Sequence, residues 1–403
     1  MRIRRLLLVA LFVFIGHSLD QSVSVAGDNA DVGTVQLKSA KETIEGRVVA
    51  RDDQRCWLFD RAGRLREVRL SEVKSFKQIS TKFTASSPMA TASDLVRELG
   101  KDYETATSRH YVVACPKGKA KTYVELFESV YRNFHMYFSV RGFHLNEPEF
   151  PLVAIVFPSR SAFLEYAKRE GTNATQFGGY YSPRSNRAAL FEIESSATAQ
   201  FEHDGSFLLP LNRDSSSEFT SPFLKNTGNV LGAPRAFKTI DADQRDTMIH
   251  ECTHQVAYNV GMHERVGENA RWIVEGLATV FEAPGIRNSS SGSQLSSRVN
   301  PERLAAFKDY LKRRPKNSLE STIGGDELFS QAMQDFYAEA WALSFYLVET
   351  RPRKYSNLLQ RSAERDGSKK LTREERVEMF RTAIGDNFKM LDAEFVRFYE
   401  KLK

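Results

Sequence analysis

Cysteine is scarce: Cys56, Cys115 and Cys252 are the only three in a chain of 403 residues. So few exclude a small fold stapled by disulfides. Cys56 and Cys115 are the one pair to consider in an exported chain, but their spacing carries no signature, and buried free thiols are the simpler expectation. Beyond the first residues no apolar run reaches the ~18 residues that a spanning helix needs, which excludes a multi-span membrane protein. Internal repeats and low-complexity tracts are absent, and glycine (23) and proline (13) are unexceptional, which excludes collagen-like and disordered chains. Neither sign of charge dominates: 57 Lys and Arg face 51 Asp and Glu, a net +6. With no clustered basic patch, a nucleic-acid partner is not expected.

What is present first is an address. Arg2, Arg4 and Arg5 precede the unbroken apolar run Leu6–Ile15, and Ser24-Val25-Ala26 offers small residues at a cleavage site. Residues 1–26 therefore read as a secretory signal peptide, too short for a spanning helix, and the expected location is secreted or periplasmic. Its arginines account for part of the positive balance. The remainder is long enough for two domains.

Residues 27–78 read as a small β-barrel module of SH3-like type. In Thr43-Ile44-Glu45-Gly46-Arg47-Val48-Val49, Ile44 and Val48 share one face and Thr43, Glu45 and Arg47 the other. Cys56–Phe59, a turn at Asp60-Arg61-Ala62-Gly63, and Leu65, Val68 and Leu70 continue the pattern. A unit this small is marginal alone and is expected to lean on its neighbour. Residues 79–93, rich in small polar residues, read as a linker.

From residue 94 to 403 the pattern becomes α+β. Strands are expected at His110–Cys115 and Leu152–Phe157, and helices at Ala120–Val140 and Ser161–Arg169. Gly178–Pro183 and Arg187–Phe191 read as a hairpin turning at Arg184-Ser185-Asn186. Residues 195–235 form a long polar insertion loop. The rest is helical, with spans near 243–259, 269–282, 301–313, 326–349 and 371–402, and with Pro284, Pro315 and Pro352 at helix ends.

One pentapeptide carries chemistry: His250-Glu251-Cys252-Thr253-His254. Four residues turn an α-helix by ~400°, so both imidazoles leave one face one turn apart and can share a zinc ion. Glu251 lies ~100° round from His250, where its carboxylate reaches a metal-bound water without being a ligand. Met248, Ile249, Cys252, Val256 and Ala257 give the helix an apolar face for burial. The longer pattern H-E-x-x-H-x-x-G-x-x-H fails, because its glycine and histidine positions fall on Ala257 and Val260. Zinc needs a third protein ligand. Downstream candidates are His263, Glu264, Glu268, Glu275 and Glu282, and Glu275 is the best of them. It lies in the apolar helix Trp272–Thr279, where a glutamate needs a partner, and small Gly276 and Ala278 would let that helix approach the metal-bearing one. Glu282 shares its face as the understudy.

His250-Glu251-x-x-His254 followed by Trp-x-x-Glu275-Gly-x-Ala resembles the gluzincin zinc metallopeptidases, whose plan thermolysin-like and aminopeptidase-like enzymes share. The stretch from His110 to about Leu347 is more closely similar to a secreted bacterial family of zincin-type peptidases whose substrates are largely unknown. His110–Pro116, Gly179–Arg187, the metal helix and Val274–Ala278 carry that likeness. It implies a zincin-like fold: a small mixed sheet with an edge hairpin, a metal-bearing helix and a helical C-terminal lobe. It implies zinc on His250, His254 and Glu275, Glu251 as general base, and Tyr337, in Phe336–Trp341, as the oxyanion-stabilising tyrosine. An edge strand above the metal would receive extended peptide, which gives substrate-binding roles to Gly179, Tyr180, Tyr181 and Arg184, with Arg187 an alternative for an acidic group. One departure stands out: many gluzincins carry an acid four residues after the ligand glutamate, and this chain has Thr279 there.

The expected function is a secreted zinc peptidase acting on peptide or protein substrates. The alternative is a zincin-fold binding or scaffold protein at the cell surface with little or no turnover, which the β-module and Thr279 favour.

Overall fold

The computed structural model describes residues 33–175, 177–192, 242–287 and 294–402. The expected signal peptide and the loop 195–235 lie outside the described residues.

The chain opens with five antiparallel strands: β1 (Thr34–Ser39), β2 (Thr43–Arg51), β3 (Arg55–Phe59), β4 (Leu65–Arg69) and β5 (Val73–Ser80). They lie in the order β4-β3-β2-β1-β5, with one 3-10 turn at Leu70–Glu72 before the last strand. Ile44 pairs with Leu37 across β1 and β2, and it joins Val35, Cys56, Leu58 and Val68 in a small core. Six buried side chains contribute about 1.5–3 kcal/mol each, little against the chain entropy of the unit, so it leans on the rest of the molecule. Phe59 meets Phe150 edge-on at 5.5 Å, and Phe83 meets it at 6.0 Å.

The stretch read as a linker is shorter than expected, because Pro88–Leu99 is a helix, α1. Ser87 caps it by accepting the Ala90 N–H, and Pro88 fits its first turn, where no N–H is needed. Its buried face is Thr91, Ala92 and Leu95, too small and mixed to register as an apolar stripe.

A second sheet follows: β6 (Tyr103–Thr107), β7 (Tyr111–Pro116), β8 (Leu152–Phe157), β9 (Gly179–Ser182) and β10 (Arg187–Phe191), in the order β6-β7-β8-β10-β9. The three inner strands are parallel, and β6 and β9 are antiparallel edges. Alternation divides the sheet's two faces. Val112, Ala114, Val153, Ile155 and Ala189 pack with α1 and α3 (Arg160–Arg169). Tyr111, Val113, Leu152, Ala154, Val156, Ala188 and Leu190 pack with α2 (Ala120–Ser139) and α4 (Ala242–Asn259).

Helices make up the remainder of the described chain. They are α5 (Arg271–Phe281), α6 (Pro284–Arg287), α7 (Leu295–Arg298), α8 (Pro301–Leu311), α9 (Ser318–Gly324), α10 (Glu327–Gln331), α11 (Met333–Thr350), α12 (Pro352–Ala363), α13 (Arg373–Ala383) and α14 (Phe388–Lys401). Two expected long helices are each broken. The 326–349 span kinks at Ala332 (φ −148°, ψ 74°), and the 371–402 span breaks at Gly385, whose φ of 143° is open only to glycine. Pro352 opens α12 instead of merely closing α11, as proline suits a first turn. Helix α11 is the axis of this lobe, buried from Ala338 to Val348.

The structure corrects one packing expectation. Gly276 does not bring α5 close to α4, which carries the histidine pair. A Cβ there would lie 2.4 Å from the Ala340 carbonyl oxygen and 2.2 Å from Ser344 Oγ, both on α11. All three cysteines are free and buried.

Candidate metal centre

Helix α4 runs beneath β9 and β10 with its apolar face, Met248, Ile249, Cys252, Val256 and Ala257, fully buried. That places His250 and His254 on one side, one turn apart. Glu275 reaches them from α5. The Nε2 atoms of His250 and His254 lie 3.0 Å apart, and Glu275 Oε2 is 3.5 Å from the first and 3.6 Å from the second. Tetrahedral ligands at zinc distances sit about 3.3 Å from one another, so this triangle of donors fits one ion. Among the described residues these three form the one group of His, Cys, Asp and Glu side chains placed to hold a metal.

His250 is held from behind. Its Nδ1 lies 2.9 Å from Glu282 Oε1, and Glu282 receives hydrogen bonds from Arg303 Nη2 (3.0 and 3.1 Å) and Nε (3.2 Å). A carboxylate on the far nitrogen fixes the ring so that Nε2 faces the ion. Glu282 is therefore not the third ligand. It lies three residues beyond position 279, where the sequence has no acid. Thr279 instead bonds its own helix at the Glu275 carbonyl (2.8 Å).

The charges of the group hold one another. Burial opposes a proton on His250, but hydrogen bonds to Glu275 and Glu282, with the charge of Glu251, outweigh it and push its pKa up to about 10. Burial works against ionised Glu275, and His254 and His250 reverse that and hold its carboxyl well below the usual range. A divalent ion held here would replace a proton as the positive partner of these carboxylates.

Glu251 is buried beside the group and is not one of its three donors. Burial raises its pKa, against the pull of His250 and His254, and the Tyr181 N–H of β9 donates to its carboxylate. Tyr337, on α11, lines the same cleft. Burial and the neighbouring Glu275 carboxylate, which its hydroxyl contacts, raise its pKa and keep the phenol protonated.

A cleft of about 690 Å³ lies over these groups, bounded on one side by Phe177, Gly179, Tyr180, Tyr181 and Pro183. The edge strand thus borders the metal group. Its side chains also pack within the fold. Tyr180 turns its ring to Phe163 (5.7 Å), and Tyr181 packs on Tyr258 of α4 (5.4 Å) while its hydroxyl bonds Asn186. Gly179 lines the cleft and also packs closely behind it, since Leu190 Cδ2 and the Ala189 carbonyl would sit 3.0 and 3.1 Å from a Cβ there. Arg184 is exposed and stands outside the lining of the cleft. Arg187 is buried and points away, pairing with Glu98 at 2.7 and 2.8 Å.

The other ligand candidates are dispersed. Glu264 accepts the Val266 N–H (2.8 Å), and Glu268 accepts the Leu371 N–H (3.3 Å) on the cleft wall. His263 is buried without a partner for Nε2 among the described residues, and burial drops its pKa to about 3.

Several residues escaped the sequence reading. Gln255 donates to the carbonyls of Val153 and Asn186, and Asn259 Nδ2 donates to Asn186 Oδ1 (2.7 Å), tying α4 to the hairpin turn. Asn186 takes a left-handed φ of 59°, a hint available from its place in the turn. Arg303 gave no local signal, because its partner lies on another helix.

Residues 244–367 match a protein family of unknown function, DUF1570. The DUF1570 region holds all three metal-group residues, Glu251, Glu282 and Tyr337. It begins well after His110, where the sequence likeness starts, and runs past Leu347. Against the curated proteins, nothing matches the chain.

Proposed function

We propose that the chain is a zinc peptidase with a zincin-like site. The observation that carries this reading is the place of Glu251: buried in the cleft, beside three converging donors, and not among them. An extended peptide lies along β9, whose outer edge is unpaired within the sheet, by backbone pairing. Bound zinc supplies a water that ionises near neutral pH and a charge that polarises the scissile carbonyl. Glu251 takes the proton of the attacking water and delivers it to the leaving nitrogen, and burial, by raising its pKa, makes it a stronger base for that exchange. Tyr337 donates its phenolic hydrogen to the developing oxyanion. Glu282, backed by Arg303, holds His250 in register, which weakens the case that Thr279 made for a scaffold without turnover.

The same reading covers the rest of the chain. The strand order β4-β3-β2-β1-β5 with a 3-10 turn before β5 supports an SH3-like barrel. Export follows from the first 26 residues, and among the described residues no helix is long and apolar enough to cross a membrane.

Metal content and a peptide digest test the proposal together. The purified protein is expected to carry one zinc per chain, lost in His254→Ala. Glu251→Gln keeps the zinc and loses about 10²–10⁴-fold in hydrolysis rate. Full hydrolysis by Glu251→Gln, or a wild-type chain that binds no zinc, overturns it.

A further inference from the structure

We propose that the cleft reads a carboxylate on its substrate, either an acidic side chain or a free C-terminus, through Arg271 and Lys370. The inference rests on the peptidase reading for the identity of the occupant as a peptide. Arg271 opens α5 one turn before Glu275, so the two share a helix face, about 6 Å apart along the axis. That rise corresponds to about two residues of extended peptide. The Arg271 guanidinium lies over the Phe329 ring at 4.1 Å, and Phe329 lies 6.3 Å from the ring of Tyr337, whose hydroxyl meets Glu275. A continuous wall therefore joins Arg271 to the metal group. Stacking occupies a flat face of the guanidinium and leaves the N–H edge of this cleft-lining residue clear of the ring, and such an edge grips a carboxylate through two hydrogen bonds.

Two of the remaining charges on this wall cancel. Asp326 and Arg376 neutralise one another through bonds of 2.9 and 3.0 Å. Glu268 accepts the Leu371 N–H and keeps its negative charge at the exposed side of the wall. Arg271 and Lys370 line the cleft, both are exposed, and among the described residues neither has a carboxylate within ion-pair distance. Against the one charge of Glu268, Arg271 and Lys370 leave this wall with a positive balance.

The test measures binding apart from turnover. Zinc-loaded Glu251→Gln protein is titrated with acetylated peptides of one backbone, carrying Asp or Asn at each position in turn, with free or amidated C-termini. A carboxylate in one register is expected to tighten binding at least tenfold, with the gain falling as salt is raised. Preference for Asp over Asn assigns an acidic side chain, and preference for the free over the amidated end assigns the chain terminus. Adding Arg271→Gln and Lys370→Gln is expected to erase the preference with zinc content and melting temperature unchanged. The proposal fails if charged and neutral peptides bind alike, if none binds, or if the preference survives both substitutions. A clear preference without any hydrolysis by the wild-type protein instead overturns the peptidase reading and leaves the carboxylate site standing.

Discussion

His250 uses both ring nitrogens, one toward the metal group and one toward Glu282, so its rotamer is fixed from two sides. The histidine spacing was legible because a helix repeats nearly every four residues, and Glu275 because an isolated acid in an apolar helix needs a cation. The role of Glu282 was not legible. A carboxylate two turns further along the same face reads equally well as ligand or support, and only its contact with the far nitrogen of His250, with Arg303 of α8 behind it, separates the two. Removing that support gives a test at this scale. Glu282→Ala is expected to lower zinc affinity by about 10–100-fold, measured by competition with a chromogenic chelator, while the three ligands stay in place.

Among the helices, the seam between α5 and α11 sets the position of Glu275. Gly276 lets the two backbones meet, and a methyl group there collides with the Ala340 carbonyl and Ser344 Oγ. Both obstacles belong to a packed helix that cannot yield cheaply. Gly276→Ala is therefore expected to cost about 1–3 kcal/mol in denaturant unfolding. It also displaces the adjacent ligand, so zinc affinity falls with stability. A surface Gly→Ala change such as Gly118→Ala, where nothing lies near the added Cβ, gives the comparison for backbone strain alone. Helical periodicity located both helices, but it could not say which neighbour the glycine serves. The hairpin was legible from its turn residues for the same local reason. The uses of Tyr180 and Tyr181 were not, because strand alternation sends one ring to α3 and the other to α4.

Across the whole molecule, the first β unit is fastened to the hairpin that borders the cleft. Arg265, buried, donates to the Pro183 carbonyl (2.8 and 2.9 Å) and to the Gly63 carbonyl (2.5 Å), with its guanidinium over Phe59 at 4.5 Å. The Leu65 N–H donates to the Arg184 carbonyl at 2.7 Å. Glu98 of α1 joins the same junction, bonding Arg187 of β10 and Arg64 of the β3–β4 turn. Burial would raise the Glu98 pKa, but the Arg187 hydrogen bonds, with Arg187 and Arg64 as charges, hold it below the ordinary glutamate value. Its stabilisation is thus complete above the unfolded pKa and lost as pH falls through the lower, folded one. Glu98→Gln is expected to cost about 2 kcal/mol at pH 7, with the gap to wild type closing in acid, measured by urea unfolding over a pH series. By itself the sequence determined what is local: the histidine pair and its glutamate, most helices and strands, and the hairpin turn, since each depends on residues a few positions apart. Only the tertiary structure decided what depends on distant partners: Glu282 as the support of His250, Gly276 as the seam with α11, Arg184 outside the cleft, and the β unit seated against the hairpin. Those contacts join residues far apart in the chain, and no local periodicity records them.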